Sequence, residues 1–174
     1  MKTSEEVEME NFNFYKSFAP WISDECAWNW AKNPMKDENG MCIPDDMGLL
    51  YIATDTSRPG EYKIGRTSCN DPFTREIHTT SPNYKVLYMA VSRNVVKDET
   101  RCHKWMKNFL SAHIKYKHAK EWFKLDDEYL KFVIDKFHFV KAERPFEYMV
   151  FKNGFYGESD ASDLLDLCGC SYLG

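Results

Sequence analysis

The sequence predicts an α+β fold: a small mixed β-sheet of three to four strands flanked by helices, with short N- and C-terminal extensions. Three observations predict it. Residues 49–66 form two short apolar runs around a Pro-Gly turn, the pattern of an antiparallel hairpin. Apolar residues then recur at spacings of three and four through 95–113 and 126–137, as in helices with one buried stripe. Short β-type runs at 84–91 and 121–125 are interleaved with them, so the order from Gly48 onward is β-β-α-β-α-β-α.

In order along the chain, Leu49–Thr54 is the first strand, "TSRPGE" the turn, and Tyr62–Arg66 the returning strand. Alternation places Leu49, Tyr51 and Ala53 on one face and Leu50 and Ile52 on the other, and it separates Tyr62 from Lys63. Asp71-Pro72 supplies a capping acceptor and a first-turn proline, so "PFTREIH" reads as a helix with Phe73 and Ile77 facing inward. "YKVLYMAV" is the third strand. In 95–113, Glu99, Cys102, His103, Met106, Phe109 and Leu110 share a stripe, which puts Glu99 at the end of the buried face. "EWFKL" is a short strand and "DDEYLKFVIDKF" a last helix; Trp105, Trp122 and Phe123 are expected in the core. Before Gly48, aromatic clusters predict one or two helices packed loosely on the main domain, followed by a Pro-, Asp- and Gly-rich linker. The expected division is an acidic, aromatic extension at 1–47, the main domain at 48–137 and an acidic extension at 138–174.

A chain of 174 residues, 43% hydrophobic and 16% aromatic, is long and apolar enough to bury a core and does not have a disordered composition. It holds no run near the roughly 20 apolar residues that cross a bilayer. The first residues lack the basic start and apolar stretch of a secretory signal. Six scattered cysteines are expected as thiols of a reducing compartment, and Cys168-Gly-Cys170 is too tightly spaced for a zinc knuckle. The expected location is therefore intracellular, in cytoplasm or nucleus, with no membrane partner. The net charge of -4 is unevenly divided. Residues 1–47 hold 4 basic against 10 acidic residues, 48–125 hold 14 against 7, and 126–174 hold 5 against 10. A basic middle segment points to a polyanion, whereas the acidic ends are candidates for contacting a protein partner or for covering the basic face. Nothing in the sequence indicates an oligomeric state.

Taken together and in order, "GLLYIATD" with "YKIGRT", "DPFTREIH", "TTSPNYKVLY", "ETRCH" and "KEWFKL" resemble the GIY-YIG endonuclease superfamily, over about residues 48–137. The nearest branch is typified by a phage T-five reading frame and is spread through bacteria, phages, large DNA viruses and fungi. That resemblance implies a virus- or phage-encoded endonuclease that hydrolyses phosphodiester bonds of DNA with Mg²⁺ or Mn²⁺. It also implies roles: Tyr51 activates or orients the attacking water, Arg75 holds the phosphate, and Glu99 binds the metal. The second motif departs from the pattern, reading Lys63-Ile64-Gly65 where Tyr-Ile-Gly is usual.

The chemistry of these residue types agrees with the resemblance. Charge builds on non-bridging oxygens during displacement at phosphorus, and a guanidinium is their forked, always-charged partner. A leaving oxygen is assisted by Mg²⁺, which one or two carboxylates plus water can hold. Gly65 permits close approach of backbone and substrate. Two roles are open for Lys63: a general base, its proton affinity lowered by Arg66 and Arg75, or a point charge for phosphate. His103, four residues after Glu99, is a candidate second metal ligand or proton shuttle. Arg58, Gly65, Arg66, His78, Lys104 and Lys117 are candidates for nucleic-acid contact, as are Lys85, Arg93 and the loop "HIKYKHAK". Two competing functions are a GIY-YIG-like module that binds nucleic acid with weak or no catalysis, and an interaction protein whose acidic tails mask its own basic face.

Overall fold

The hairpin predicted at residues 49–66 lies at the centre of a five-stranded sheet. In this computed structural model, which describes residues 1–35, 38–39, 46–68, 71–78, 81–110 and 121–155, β1 (Gly48–Asp55) pairs with β2 (Glu61–Thr67) on one side and β3 (Tyr84–Ser92) on the other. Two short strands, β4 (Trp122–Lys124) and β5 (Val140–Lys141), complete the order β4-β2-β1-β3-β5. The α+β class is as predicted, but among the described residues the sheet has five strands and each of its strand pairs is antiparallel, where a mixed sheet of three to four is expected. β5, two residues long, is too short for any periodicity to announce it. The turn is closed by Gly60 at φ 79° and by Asp55, whose Oδ1 accepts from the Ser57 amide at 2.9 Å and the Ser57 hydroxyl at 2.8 Å.

The two faces of the sheet carry separate cores, divided as alternation predicts. Leu50, Ile52, Ile64 and Ala90 meet α4 (Val95–Trp105) and α5 (Asp127–Phe137) through Cys102, Trp105, Val133 and Phe137. Asn94 caps α4 and Asp126 caps α5, each accepting from an amide of the first turn. A π-helical turn, Met106–Leu110, continues α4, so the predicted helix changes its winding before its expected end. Leu49, Tyr51, Ala53, Met89 and Val91 meet α1 (Ser4–Phe18), α2 (Asp24–Lys32) and the segment Phe146–Phe151 on the other face.

Those N-terminal helices, expected to pack loosely, instead contribute Tyr15, Cys26, Ala27 and Trp30 to the second core. Tyr15 and Trp30 are fully buried, and the buried guanidinium of Arg93 lies 5.6 Å and 5.4 Å from their ring centroids while donating to the Asn33 carbonyl at 2.6 Å. Arg93, a candidate for phosphate contact, is thus a cation-π tie between β3 and the N-terminal layer. The helix α3 (Thr74–His78) is shorter than expected because the Asp71 carboxylate takes the Phe73 amide in a turn of its own. Phe73 is buried as predicted, but Ile77 is 78% exposed, since α3 ends within its first turns. Among described residues, Cys26 and Cys102 are buried thiols.

Asp55 links stability to pH. Hydrogen bonds from the Ser81 hydroxyl first, then from the Ser57 amide and hydroxyl, hold its carboxyl below the usual carboxylate range. Its contribution is fully present above the unfolded value, near about 3.9, and disappears as pH falls through the lower folded value. In thermal melts from about pH 5 to pH 2, Asp55→Asn is expected to lose less Tm than the wild-type chain, because the variant has no such carboxylate to protonate.

Candidate functional site

Tyr51 and Gly65 are direct partners across β1 and β2. A Cβ built on Gly65 would lie 2.6 Å from the Tyr51 hydroxyl oxygen and 2.7 Å from Cζ. Gly65 is therefore required because the tyrosine ring crosses the neighbouring strand; the close approach expected from substrate is made by a side chain of the protein itself. Tyr51 is 2% exposed, and its hydroxyl is hydrogen-bonded to that of Tyr84 on β3. Lys63 shares this face, its Nζ 5.9 Å from the Tyr84 ring centroid, whereas Tyr62 packs against the opposite core, as alternation predicts.

β4 covers only Glu61–Lys63 of β2, so the strand has an open edge beyond it. The Ile64 amide faces that edge, donating to the Glu121 carbonyl at 3.0 Å, and so do the carbonyls of Ile64 and Arg66. Two side chains close it where a strand is missing. From α4, His103 Nε2 donates to the Ile64 carbonyl at 2.6 Å; from α3, Arg75 Nη2 donates to the Arg66 carbonyl at 3.4 Å. His103, a candidate metal ligand, therefore has that nitrogen committed to the strand.

At the same edge Arg66 Nη1 donates to Glu99 Oε1 at 2.8 Å; the arginine side chain is 44% exposed and the glutamate 7%. Glu99 Oε2 is buried and accepts no hydrogen bond. Burial first, and the charge of Glu121 second, push the Glu99 carboxyl above its ordinary range, against the pull of Arg66 and Lys63. Lys63 Nζ lies 3.5 Å from Glu121 Oε2. The charged partner of Lys63 is thus a carboxylate, the opposite sign from the arginines expected to prime it as a base. Tyr84 feels both Arg75 and Glu121, and burial pushes its hydroxyl far up, with the Tyr51 hydrogen bond adding to the effect.

The structure brings Tyr51, Lys63, Arg75 and Glu99 into one linked network through Tyr84, Arg66 and Glu121. Sequence reasoning missed Glu121 and Tyr84. Glu121 opens the "EWFKL" run and reads as an ordinary strand-end charge, and Tyr84 reads as a core aromatic. Asp98, also missed, is buried beside Glu99 and accepts from the Ser92 hydroxyl at 2.5 Å. Arg58 lies over the Trp122 ring at 4.8 Å and 3.7 Å from Glu61, and Lys104 is exposed on α4. Lys117 and the "HIKYKHAK" loop fall outside the described residues, as does the His78 side chain.

No group of three His, Cys, Asp or Glu side chains forms a metal site among the described residues. The unpartnered buried oxygen of Glu99 nevertheless fits a hard cation of the Mg²⁺ kind, which takes one or two carboxylates and completes its shell with water and phosphate oxygens. No described helix is long and apolar enough to cross a membrane.

An antiparallel sheet with a tyrosine laid over the glycine of its central hairpin, and with an arginine and a buried glutamate meeting at the hairpin's edge, defines a GIY-YIG-like domain. More narrowly, the family model described as the T5orf172 domain matches residues 48–138, just over half of the chain, and the chain belongs to that GIY-YIG-related family. No curated protein and no solved structure matches. The membership indicates a nuclease-like module, in a family that typically uses a divalent metal.

Gly65→Ala is expected to lower stability by about 1–3 kcal/mol, the usual penalty of overpacking. Because the added methyl meets the Tyr51 hydroxyl first, Tyr51→Phe should relieve part of it. A double-mutant cycle in urea should show the pair to be less destabilised than the sum of its single variants.

Proposed function

We propose that the chain is a divalent-metal-dependent endonuclease hydrolysing phosphodiester bonds of DNA. The observation that supports this most is the Glu99 carboxylate: deeply buried, bonded through one oxygen to a half-exposed arginine and unpartnered at the other. A buried carboxylate oxygen with nothing to accept costs free energy, and a bound cation removes that cost.

In this reading Glu99 Oε2 holds Mg²⁺ or Mn²⁺, which when bound stabilises charge on the departing oxygen. Arg75, exposed on α3 with its guanidinium against the β2 edge, takes the non-bridging oxygens of the scissile phosphate as a fork. Tyr51 orients the attacking water through its hydroxyl. Lys63, an ammonium paired with Glu121, serves as a point charge toward phosphate rather than as the base. Arg66 gives the strand a second guanidinium within reach of the backbone of the bound nucleic acid. The competing reading, binding without cleavage, has its own support in the burial of Tyr51, which leaves water little access to the hydroxyl.

The test is nicking of a supercoiled plasmid with and without Mg²⁺. Wild-type chain is expected to nick only with the metal, and Glu99→Gln and Arg75→Ala to lose about 100-fold or more. Mn²⁺ binding followed by electron paramagnetic resonance should weaken in Glu99→Gln and not in Arg75→Ala. Salt-sensitive DNA affinity without any cleavage by the wild-type chain would favour the binding module instead.

A further inference from the structure

Position 63 carries lysine where the motif has tyrosine, yet the site contains a second phenol. Tyr84 begins β3 opposite Asp55, is 6% exposed and shares a hydrogen bond with the Tyr51 hydroxyl. Its orientation depends on one irregularity. β1 pairs Ile52 with Tyr88 but Ala53 with Val86, so Leu87 is an extra residue in β3. On one side of this bulge Met89 and Val91 face the core of Tyr51 while Tyr88 and Ala90 face the other; on the far side Val86 and Tyr84 face the core of Tyr51. Without the bulge, Tyr84 would point to the opposite face of the sheet. Bulges recur where a strand must re-aim a side chain beside a site.

We propose that Tyr84 is a positioning residue for Tyr51: its hydroxyl donates to the Tyr51 oxygen and so turns the Tyr51 hydrogen toward the attacking water, which Tyr51 orients as a phenol without taking a proton from it. This rests on the nuclease reading above. A phenol oxygen carries one hydrogen, so an oxygen already accepting from Tyr84 must direct its own hydrogen elsewhere. A hydrogen bond received by the oxygen also favours its ionised form. The groups facing Tyr84 suit a fixed donor: Lys63 Nζ over its ring, Arg75 from α3, Glu121 from the β4 side, and the Trp122 ring edge-on at 6.5 Å. The buried hydroxyl keeps its proton throughout the neutral range.

Tyr84→Phe removes the donor and keeps the ring. With Mg²⁺ and a supercoiled plasmid, kcat is expected to fall about 10-fold or more, KM to stay within about twofold, and the alkaline limb of the kcat profile to move to higher pH. A second readout does not require turnover. In full-length chain labelled at tyrosine Cζ with carbon-13, the Tyr51 resonance, assigned through Tyr51→Phe, should titrate at higher pH in Tyr84→Phe. A monofluorinated tyrosine at position 84, a stronger donor of the same shape, should move it lower, and this variant decides the matter if Tyr84→Phe does not fold. An unchanged kcat with an unmoved Tyr51 titration overturns the proposal while leaving the nuclease reading intact. Absence of Mg²⁺-dependent cleavage by the wild-type chain overturns the nuclease reading and, with it, a hydrolytic role for Tyr84.

Discussion

The Tyr51 ring lies across Gly65, and this contact constrains the rest of the site. It requires β1 and β2 to pair in the register that sets these two residues opposite each other, because a shift of one residue would turn Tyr51 to the other face and place a side chain beneath the ring. It also buries the tyrosine hydroxyl, which must then find a partner inside the protein. Tyr84 supplies that partner, and only the bulge at Leu87 lets β3 present it there.

A second constraint comes from the short length of β4. Where it stops, β2 exposes carbonyls that would otherwise template another chain. α4 and α3 come from opposite sides of the sheet and satisfy those carbonyls with His103 and Arg75, so the same strand edge that needs covering gathers the guanidinium of α3 and the buried carboxylate of α4. Cations and carboxylates alternate along it, Lys63 with Glu121 and Arg66 with Glu99. The positive excess of the middle segment is thus partly neutralised within the folded chain. The layer formed by α1, α2 and Phe146–Phe151 closes the face behind Tyr51, so these helices build the wall of the site.

Much of this was legible in the sequence. Strand alternation assigned Tyr51 and Lys63 to one face and Tyr62 to the other, and the three- and four-residue spacing of the α4 stripe marked Glu99 as buried. The partners of Lys63, His103 and Arg93 are not legible in the sequence for one shared reason: Glu121, the Ile64 carbonyl and the Tyr15–Trp30 pair, which they meet, are distant from them along the chain. Ile77 was misplaced because a five-residue helix is too short for periodicity to fix its inner face.

The sequence by itself determined the hairpin, the faces of its residues and the order of the later strands and helices, because period-2 and period-3.6 patterns and turn chemistry are local properties of the chain. Only the tertiary structure decided that the N-terminal helices belong to the core, that side chains complete the open edge of β2, and that Tyr84 reaches Tyr51. Each of these depends on where a strand ends or slips by one residue, and no local pattern encodes a single inserted residue that turns a tyrosine from one face of the sheet to the other.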